Sequence, residues 1–333
     1  MPLTTPPRGP IPGGSERRGT AAPRTGRARV IPVGGGKGGV GKTFLVANLA
    51  ASLARDGYRV VAVDGDLEGA NLHTCIGVPD PSASLADFVA RREEDVAKLL
   101  VDTPIPNLKI IAATHANPAT PQPGHARRVD LMRQLAEIPA DFVLVDLGAG
   151  TDPAVMDYFM VGENGIVVLA PEPTSVENAY SFIRAAFYRR LRLAMVSHGV
   201  RRVVTVAMDE RNERGIRTPL DLLREIQAID SEEGSRFVDT MRAFRPRILV
   251  NEVRTAEDVK LGFSVTSVCR KYFGIDAEYL GYVNHDDAAR RSVRTRRPLV
   301  EVSPRCDAAV YIGRVARKLL APPKAAAGGR SDA

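Results

Sequence analysis

The residues with the clearest chemistry form a glycine-rich run, GGGKGGVGKT, at positions 34–43. Gly36, Gly41, Lys42 and Thr43 match the spacing GxxxxGK[ST], in which backbone N–H groups curl around a phosphate at a helix N-terminus. Lys42 is expected to reach the β- and γ-phosphate oxygens, and the Thr43 hydroxyl is expected to ligate Mg²⁺. Because the run follows an apolar segment and opens an amphipathic helical pattern, we favour a phosphate-binding loop over a chance glycine-rich turn. The sequence therefore predicts a site for Mg²⁺ and a nucleoside triphosphate, namely ATP.

Carboxylates follow two other apolar runs. Asp64 and Asp66 lie in VDGDLEGANLHTCIG, and Asp146 ends the run FVLVD. Open α/β sheets bind their ligands at the carboxyl ends of the strands, so these side chains are expected to share one edge with the phosphate loop. Ordinary polar strand ends are the alternative, and the phosphate loop favours function. Asp146 is predicted to hold Mg²⁺, directly or through water.

A second lysine inside the loop, Lys37, narrows the family. Residues 37–43, KGGVGKT, resemble the deviant Walker A loop of the ParA/MinD family of dimeric ATPases. In that family the extra lysine reaches across the dimer to the partner's nucleotide, so the resemblance gives Lys37 and Lys42 catalytic roles. It also implies that Asp66 orients the attacking water and that Asp64 helps to hold the water molecules around the metal.

Two more segments resemble the FlhG (FleN) branch of this family. The first is VLAPEPTSVENAYSFIRA at positions 168–185, and the second is ILVNEVR, whose Asn251 matches an asparagine that reads the adenine edge through its amide. The resemblance covers about residues 29–320, although the segment DQAxxLR of that branch is missing from the N-terminal part. The residues predicted to contact the nucleotide are Gly36, Lys37, Gly38, Gly39, Val40, Gly41, Lys42, Thr43 and Asn251.

The elements that must position these residues alternate along the chain. Short continuous apolar runs are separated by longer helical patterns, which is typical of a doubly wound, mostly parallel sheet with helices on both faces. This predicts an α/β fold of the P-loop type in a single domain. Strands are predicted at residues 30–33, 59–63, 108–112, 142–145, 165–170, 203–207, 247–250 and 279–283.

Composition predicts the domain limits. Residues 1–28 are rich in Pro, Gly, Arg and Thr, which predicts a disordered basic arm before an ATPase domain at residues 29–320. Residues 208–246 are predicted to be a helical insertion, and a last helix is predicted at residues 304–320 before a disordered tail at 321–333. The end of that helix, RVARKLL, either closes the core or, as a minority alternative, lies on a membrane.

Bulk properties exclude several classes of protein. Three separated cysteines without a CxxC pair argue against a disulfide framework and a four-thiolate metal site, and no apolar stretch is long enough to span a bilayer. The start has no secretory signal pattern, so a cytoplasmic location is expected. The net charge of +7 is uneven, because residues 290–333 hold eleven basic and three acidic residues. Such basic surface attracts DNA or anionic lipid, or it is simply a solvated surface.

Together these features predict a slow, ATP-dependent homodimer that regulates the placement or number of a cellular structure, such as a flagellum or a division site. An activating protein partner is expected, and the ATP state is expected to associate peripherally with a membrane or the nucleoid. A nucleoid-binding partition ATPase of the ParA kind is the first alternative. A metabolic ATP-dependent enzyme on the same fold and a metal-cluster carrier are the others, although the cysteine pair that a carrier needs is missing.

Overall fold

The chain forms an eight-stranded sheet in the order β3-β4-β2-β5-β1-β6-β7-β8, in which only β3 runs antiparallel to its neighbour. The structure is a computed structural model that describes residues 27–113, 123–162, 164–208, 215–216 and 218–321. Most of the predicted basic arm and nearly all of the predicted tail therefore lie outside the described residues. The α/β fold with a mostly parallel sheet is confirmed.

The strands are β1 (Arg29–Gly34), β2 (Val60–Asp64), β3 (Val101–Asp102), β4 (Leu108–Ile111), β5 (Phe142–Asp146), β6 (Ile166–Leu169), β7 (Arg247–Val253) and β8 (Glu278–Asn284). The helices are α1 (Lys42–Arg55), α2 (Leu72–Ile76), α3 (Leu85–Val89), α4 (His125–Glu137), α5 (Pro153–Phe159), α6 (Pro173–Ala194), α7 (His198–Met208), α8 (Pro219–Ile229), α9 (Ser231–Ala243), α10 (Ala256–Phe273), α11 (Ala288–Thr295), α12 (Leu299–Val302) and α13 (Asp307–Leu320). A 3₁₀ turn covers Val96–Leu99.

Helices cover both faces of this sheet. Every residue of β2, β5 and β6 is buried, as expected where both faces of a parallel sheet are covered. One apolar core lies between the sheet and α1, α2, α12 and α13, and the other lies between the sheet and α4 to α10. Because all strands except β3 point the same way, their carboxyl ends form one edge, where the predicted site residues lie.

Pro32 lies in the central strand β1, where a residue without an N–H group weakens a ladder. It pairs with Val145 of β5 on one side, whereas the pairing of β1 with β6 begins only at Val33. The pyrrolidine ring instead packs against Gly162, where any side chain would collide with it. Pro32 is tolerated because the neighbouring ladder has not yet begun.

One predicted strand is wrong. Residues 203–207 lie inside α7, not in a strand. Val200, Val203, Val204 and Ala207 are all buried, and this spacing of i, i+3, i+4 and i+7 is that of a helix with one apolar face. The run VVTVA alone does not reveal this helical period, because the first residue of the buried face, Val200, precedes the run.

The C-terminal helix packs into the core along its whole length. It begins at Asp307 rather than at the predicted residue 304, and Val315, Ala316 and Leu319 of the segment RVARKLL are buried. This segment therefore closes the core, and the alternative of a membrane-bound helix is wrong for it. Among the described residues, none of the helices is long and apolar enough to cross a membrane.

Candidate nucleotide-binding site

The loop between β1 and α1 has the backbone shape of a phosphate cradle. Gly39 and Gly41 have φ values of +80° and +88°, which non-glycine residues rarely adopt. At Gly36 a side chain would collide with the carbonyl oxygen of Asn178 in α6, so the loop and this helix are in direct contact. The space beside Gly38 and Gly39 is open to a distance of 4 Å. The glycines therefore shape a concave turn at the N-terminus of α1, which favours an anion.

Lys42 opens α1 and is only 8% exposed. Its ammonium donates a hydrogen bond to the Lys37 carbonyl oxygen over 3.3 Å. Burial lowers the pKa of Lys42, while the charges of Asp146 and Asp66 oppose that shift. The lysine that was predicted to bind phosphate thus lies close to two of the carboxylates predicted from the strand ends.

Asp64 and Asp146 stand side by side at the ends of β2 and β5, where they are partners in the parallel register. Both side chains are almost fully buried. Burial is the main cause that raises the pKa of each to about 7, and the charge of Asp146 also contributes to the shift at Asp64. Asp64 accepts hydrogen bonds from the backbone N–H groups of Asp66 and Leu72.

The carboxylate of Asp146 has fewer hydrogen-bond partners than that of Asp64. Its Oδ1 atom is buried and accepts no hydrogen bond within the described residues. The Thr43 hydroxyl and the Lys42 ammonium both act to lower the pKa of Asp146, so they lie close to its carboxylate. A buried carboxylate oxygen without a partner is costly unless a cation or a donor completes it.

These residues fit a magnesium-nucleotide site. No group of three or more His, Cys, Asp or Glu side chains in the described part of the chain could hold a metal by itself. Mg²⁺ usually keeps several waters and takes only one or two carboxylates together with substrate phosphates. The unpartnered oxygen of Asp146, with Thr43 and Asp64 beside it, matches that requirement.

Asp66 lies in the loop after β2, where its side chain faces the loop after β5. Its carboxylate accepts hydrogen bonds from the N–H groups of Glu68 and Gly69. A side chain at Gly148, in the loop after β5, would approach the same carboxylate to about 3.5 Å. Asp66 is thus held at the point where these loops meet, and a change in either loop would move it.

The environment of Lys37 was not predicted from the sequence. Its ammonium donates to Glu172 Oε2 over 2.6 Å and to Thr174 Oγ1 over 3.0 Å. Both partners belong to the PEPTS segment at the start of α6, and the ion pair is partly exposed. The sequence of this segment resembles the FlhG branch, but that resemblance does not predict its contact with Lys37.

Asn251 lies in β7 next to the phosphate loop. Its amide donates to the Val40 carbonyl oxygen over 2.9 Å, and a side chain at Gly41 would collide with that amide nitrogen. One amide hydrogen is therefore used by the loop itself, which holds the Asn251 side chain in place. Asn251 also lines a cavity of about 760 Å³, together with Phe44 and Arg254. The cavity adjoins the phosphate loop at Gly41.

Comparison with known proteins agrees with this geometry. The family described as the CobQ/CobB/MinD/ParA nucleotide binding domain matches residues 31–299. The chain is 26% identical to the antiactivator FleN of Pseudomonas aeruginosa over 294 residues, which is 87% of this chain and 86% of FleN. It is 27% identical to the flagellum site-determining protein YlxH of Helicobacter pylori, over 53% of this chain and 59% of YlxH.

Solved structures show the same fold. The septum site-determining protein MinD of Pyrococcus horikoshii, complexed with Mg-ADP, superimposes with a TM-score of 0.61 at 20% identity. The superposition covers 88% of this chain and 96% of that structure. The predicted family resemblance is confirmed by these matches.

Proposed function

This chain belongs to the CobQ/CobB/MinD/ParA nucleotide-binding family, and we propose that it is an ATP-dependent switch of the MinD/ParA/FlhG type. It binds Mg-ATP, hydrolyses it slowly and dimerises in the ATP state. Its task is the placement or number of a cellular structure, with a flagellum or a division site as the two candidates. The supporting observation is the buried Asp146 oxygen without a partner, beside Lys42 and Thr43 at the end of β5.

The residues of this chain divide the chemistry among themselves. Backbone N–H groups of the glycine-rich loop and the Lys42 ammonium bind the phosphates, and they neutralise the charge that develops on them. Thr43, Asp64 and Asp146 would hold Mg²⁺, which would offset negative charge on the phosphates. Asp66 positions the attacking water, because it lies where the loops after β2 and β5 meet.

Lys37 supplies the link to dimerisation. In the single chain its ammonium is paired with Glu172 and Thr174, at an exposed position on the rim of the loop. To reach the nucleotide of a second copy, Lys37 must leave these partners. The dimer therefore forms when the phosphates across the interface attract Lys37 more strongly than Glu172 does, and it loosens after hydrolysis removes part of that charge.

The test is size-exclusion chromatography with light scattering on the Asp66→Ala variant, first with Mg-ADP and then with Mg-ATP. We expect a monomer in ADP and a dimer in ATP, because the water would no longer be oriented for hydrolysis. Lys42→Ala is the matched control and should bind neither nucleotide. An Asp66→Ala variant that stays monomeric in ATP would contradict the switch, while nucleotide binding would stand.

A second step assigns the surface on which the switch acts. The ATP-bound dimer is pelleted with anionic liposomes and, separately, with double-stranded DNA. Sedimentation with liposomes would favour placement at a membrane, and salt-sensitive sedimentation with DNA would favour the ParA-like alternative. If the purified protein phosphorylated or ligated a small molecule instead, the regulatory function would be wrong.

A further inference from the structure

An unusual concentration of positive charge lies at α11 and the turn that follows it. Residues 290–297 contain five arginines and no acidic residue, and all five side chains are exposed. None of them forms an ion pair or a side-chain hydrogen bond within the described residues. The members of this arginine cluster are Arg290, Arg291, Arg294, Arg296 and Arg297.

Several exposed arginines elsewhere in the structure have acidic partners, although Arg192 and Arg202 form no ion pair within the described residues. Arg92 pairs with Asp87, Arg133 with Asp130 and Glu137, and Arg270 with Asp276. Two carboxylates do precede α11, but Asp286 accepts hydrogen bonds from the backbone N–H groups of Ala288 and Ala308. The second, Asp287, lies 3.9 Å from His285. Arg290 and Arg294 line the cavity of about 760 Å³ beside Asn251, whereas Arg291, Arg296 and Arg297 lie outside that cavity and have no acidic partner among the described residues.

Arg296 has a backbone conformation that is unfavourable for a residue other than glycine. It ends α11 in the left-handed conformation, with φ of +53°. Glycine fills the same helix-ending position after α2, at Gly77, and after α10, at Gly274. An arginine costs more than glycine in this conformation, and Arg91, Asn107 and Glu252 carry the same cost elsewhere in the described residues.

An apolar cavity of about 360 Å³ adjoins the arginine cluster. Its walls come from the end of α2 and the following residues, including Ile76 and Val78, from Pro104 and Ile105 before β4, and from residues 295–298. Its acidic lining residue is Glu301, which forms an ion pair with Arg55. A side chain at Gly77 would approach the Arg296 carbonyl oxygen to 3.1 Å, so Gly77 and Arg296, which lie on opposite sides of the cavity, are close to each other.

We propose that the arginine cluster and this cavity together form a docking site for an acidic protein segment that carries an apolar anchor residue. Carboxylates of the segment pair with the guanidinium groups of Arg291, Arg296 and Arg297, which are suited to bidentate contacts with them. The anchor side chain enters the cavity between α2 and residues 295–298. Charge and shape complementarity thus specify a protein partner rather than a simple polyanion.

Other polyanions match this surface less well. A DNA backbone would use the arginines but not the apolar cavity. A membrane surface would need large apolar side chains projecting outward, and α11 offers only Val293, which is 52% exposed. An acidic segment with one aliphatic or aromatic residue uses both parts of the site.

The experiment is selection from a random 12-residue peptide library on the full-length protein, followed by fluorescence anisotropy with the selected peptides. We expect sequences enriched in Asp and Glu around an apolar residue. Their affinity should fall about tenfold or more when that apolar residue is replaced by serine, and by a similar factor in the Arg291→Glu/Arg297→Glu variant. The matched control, Arg192→Glu/Arg202→Glu, makes the same charge change at exposed positions of α6 and α7 and should leave binding unchanged.

A photo-reactive leucine at the anchor position of a selected peptide locates the contact. Crosslinks to residues 74–79, 104–105 or 295–298 would support the proposal, and crosslinks elsewhere would overturn it. Peptides without acidic enrichment, or equal losses in both double variants, would also overturn it. The proposal would also be overturned if a 24-base-pair DNA duplex bound more tightly than the peptides and the Arg291→Glu/Arg297→Glu variant abolished that binding. The surface would then bind nucleic acid. Circular dichroism and melting of both double variants confirm that any loss is not unfolding.

Discussion

Two buried aspartates, eleven positions apart, have opposite surroundings. Asp146 ends β5 beside the phosphate loop, and its Oδ1 atom has no partner within the described residues. Asp157 lies in α5, away from that loop, and its carboxylate accepts hydrogen bonds from Arg128, Arg189 and His125. Burial raises the pKa of Asp146 to about 7. At Asp157 burial acts in the same direction, but the hydrogen bonds from His125, Arg128 and Arg189 prevail and lower the pKa.

The comparison separates a structural charge from a functional one. Asp157 joins α4, α5 and α6, because its partners come from the first and last of these helices. Its charge is neutralised within the fold. Asp146 is also buried but incompletely paired, as expected of a carboxylate that a bound cation would complete. A buried carboxylate therefore indicates a ligand site when its partners are missing, not merely because it is buried.

The largest effect on stability is expected at Asp157. Asp157→Ala removes the carboxylate and leaves Arg128 and Arg189, which are 12% and 18% exposed, without their common partner. Breaking a buried ion pair on one side costs about 3 kcal/mol or more of the free energy of unfolding. Urea denaturation measures this loss. Asp130→Ala is the control on α4, where an exposed pair with Arg133 should be worth less than about 1 kcal/mol.

Asp146→Asn should separate ligand binding from stability. The amide removes a buried charge without removing volume, so the nucleotide-free protein should keep its stability or gain about 1 kcal/mol. Affinity for Mg-ADP should fall about 10- to 100-fold, while affinity for ADP without Mg²⁺ should change little. Calorimetric titration with and without Mg²⁺ measures both values. A variant that lost stability as Asp157→Ala does would show that Asp146 is structural and would break the comparison.

The pH dependence of stability should have opposite signs at the two sites. Because the folded-state pKa values of Asp64 and Asp146 are raised to about 7, the folded state binds more protons than the unfolded state between about pH 4 and pH 7. Their contribution to the stability of the metal-free protein therefore falls as the pH rises through this window. The lowered pKa of Asp157 contributes stability above about pH 4, which is lost only on further acidification.

Denaturation of the wild type and of Asp146→Asn, both without metal, at pH 4.5 and pH 8 tests this sign. The variant should gain about 3 kcal/mol relative to the wild type between the two values. A constant difference would mean that Asp146 is ionised throughout the range and that its burial is compensated in another way.

Local patterns explain why the sheet and the phosphate loop could be predicted from the sequence. A continuous apolar strand, a glycine-rich turn and an amphipathic helix are neighbours along the chain, so residues 29–55 carry their own structural signal. Carboxylates at strand ends also follow from the parallel arrangement, which brings Asp64 and Asp146 together although they are far apart in sequence. The roles assigned to these residues in nucleotide binding stay predictions.

What could not be predicted depends on contacts between distant residues. The five-residue run at 203–207 has the composition of a strand, and only its packing face, which includes Val200, shows that it is helical. The ion pair between Lys37 and Glu172 joins residues 135 positions apart, and no local pattern encodes it. The partners of Asp157 likewise lie on two other helices, so the sequence alone did not distinguish it from a surface aspartate.

The smallest effect on stability is expected at a third carboxylate, that of Glu172, whose ion pair with Lys37 is exposed on both sides. Glu172→Gln should change the free energy of unfolding by less than about 0.5 kcal/mol, because exposed pairs contribute little. Its effect should appear instead in assembly. With Lys37 released, the ATP concentration that gives half-maximal dimer in the Asp66→Ala background should fall by roughly threefold or less, a change that corresponds to one weak surface pair. Light scattering across an ATP titration, with Glu177→Gln as the control, measures this shift.

An unchanged midpoint of the ATP titration would mean that the contact of Lys37 with Glu172 does not compete with dimerisation. The carboxylates that matter to the switch would then be only the buried ones at the strand ends.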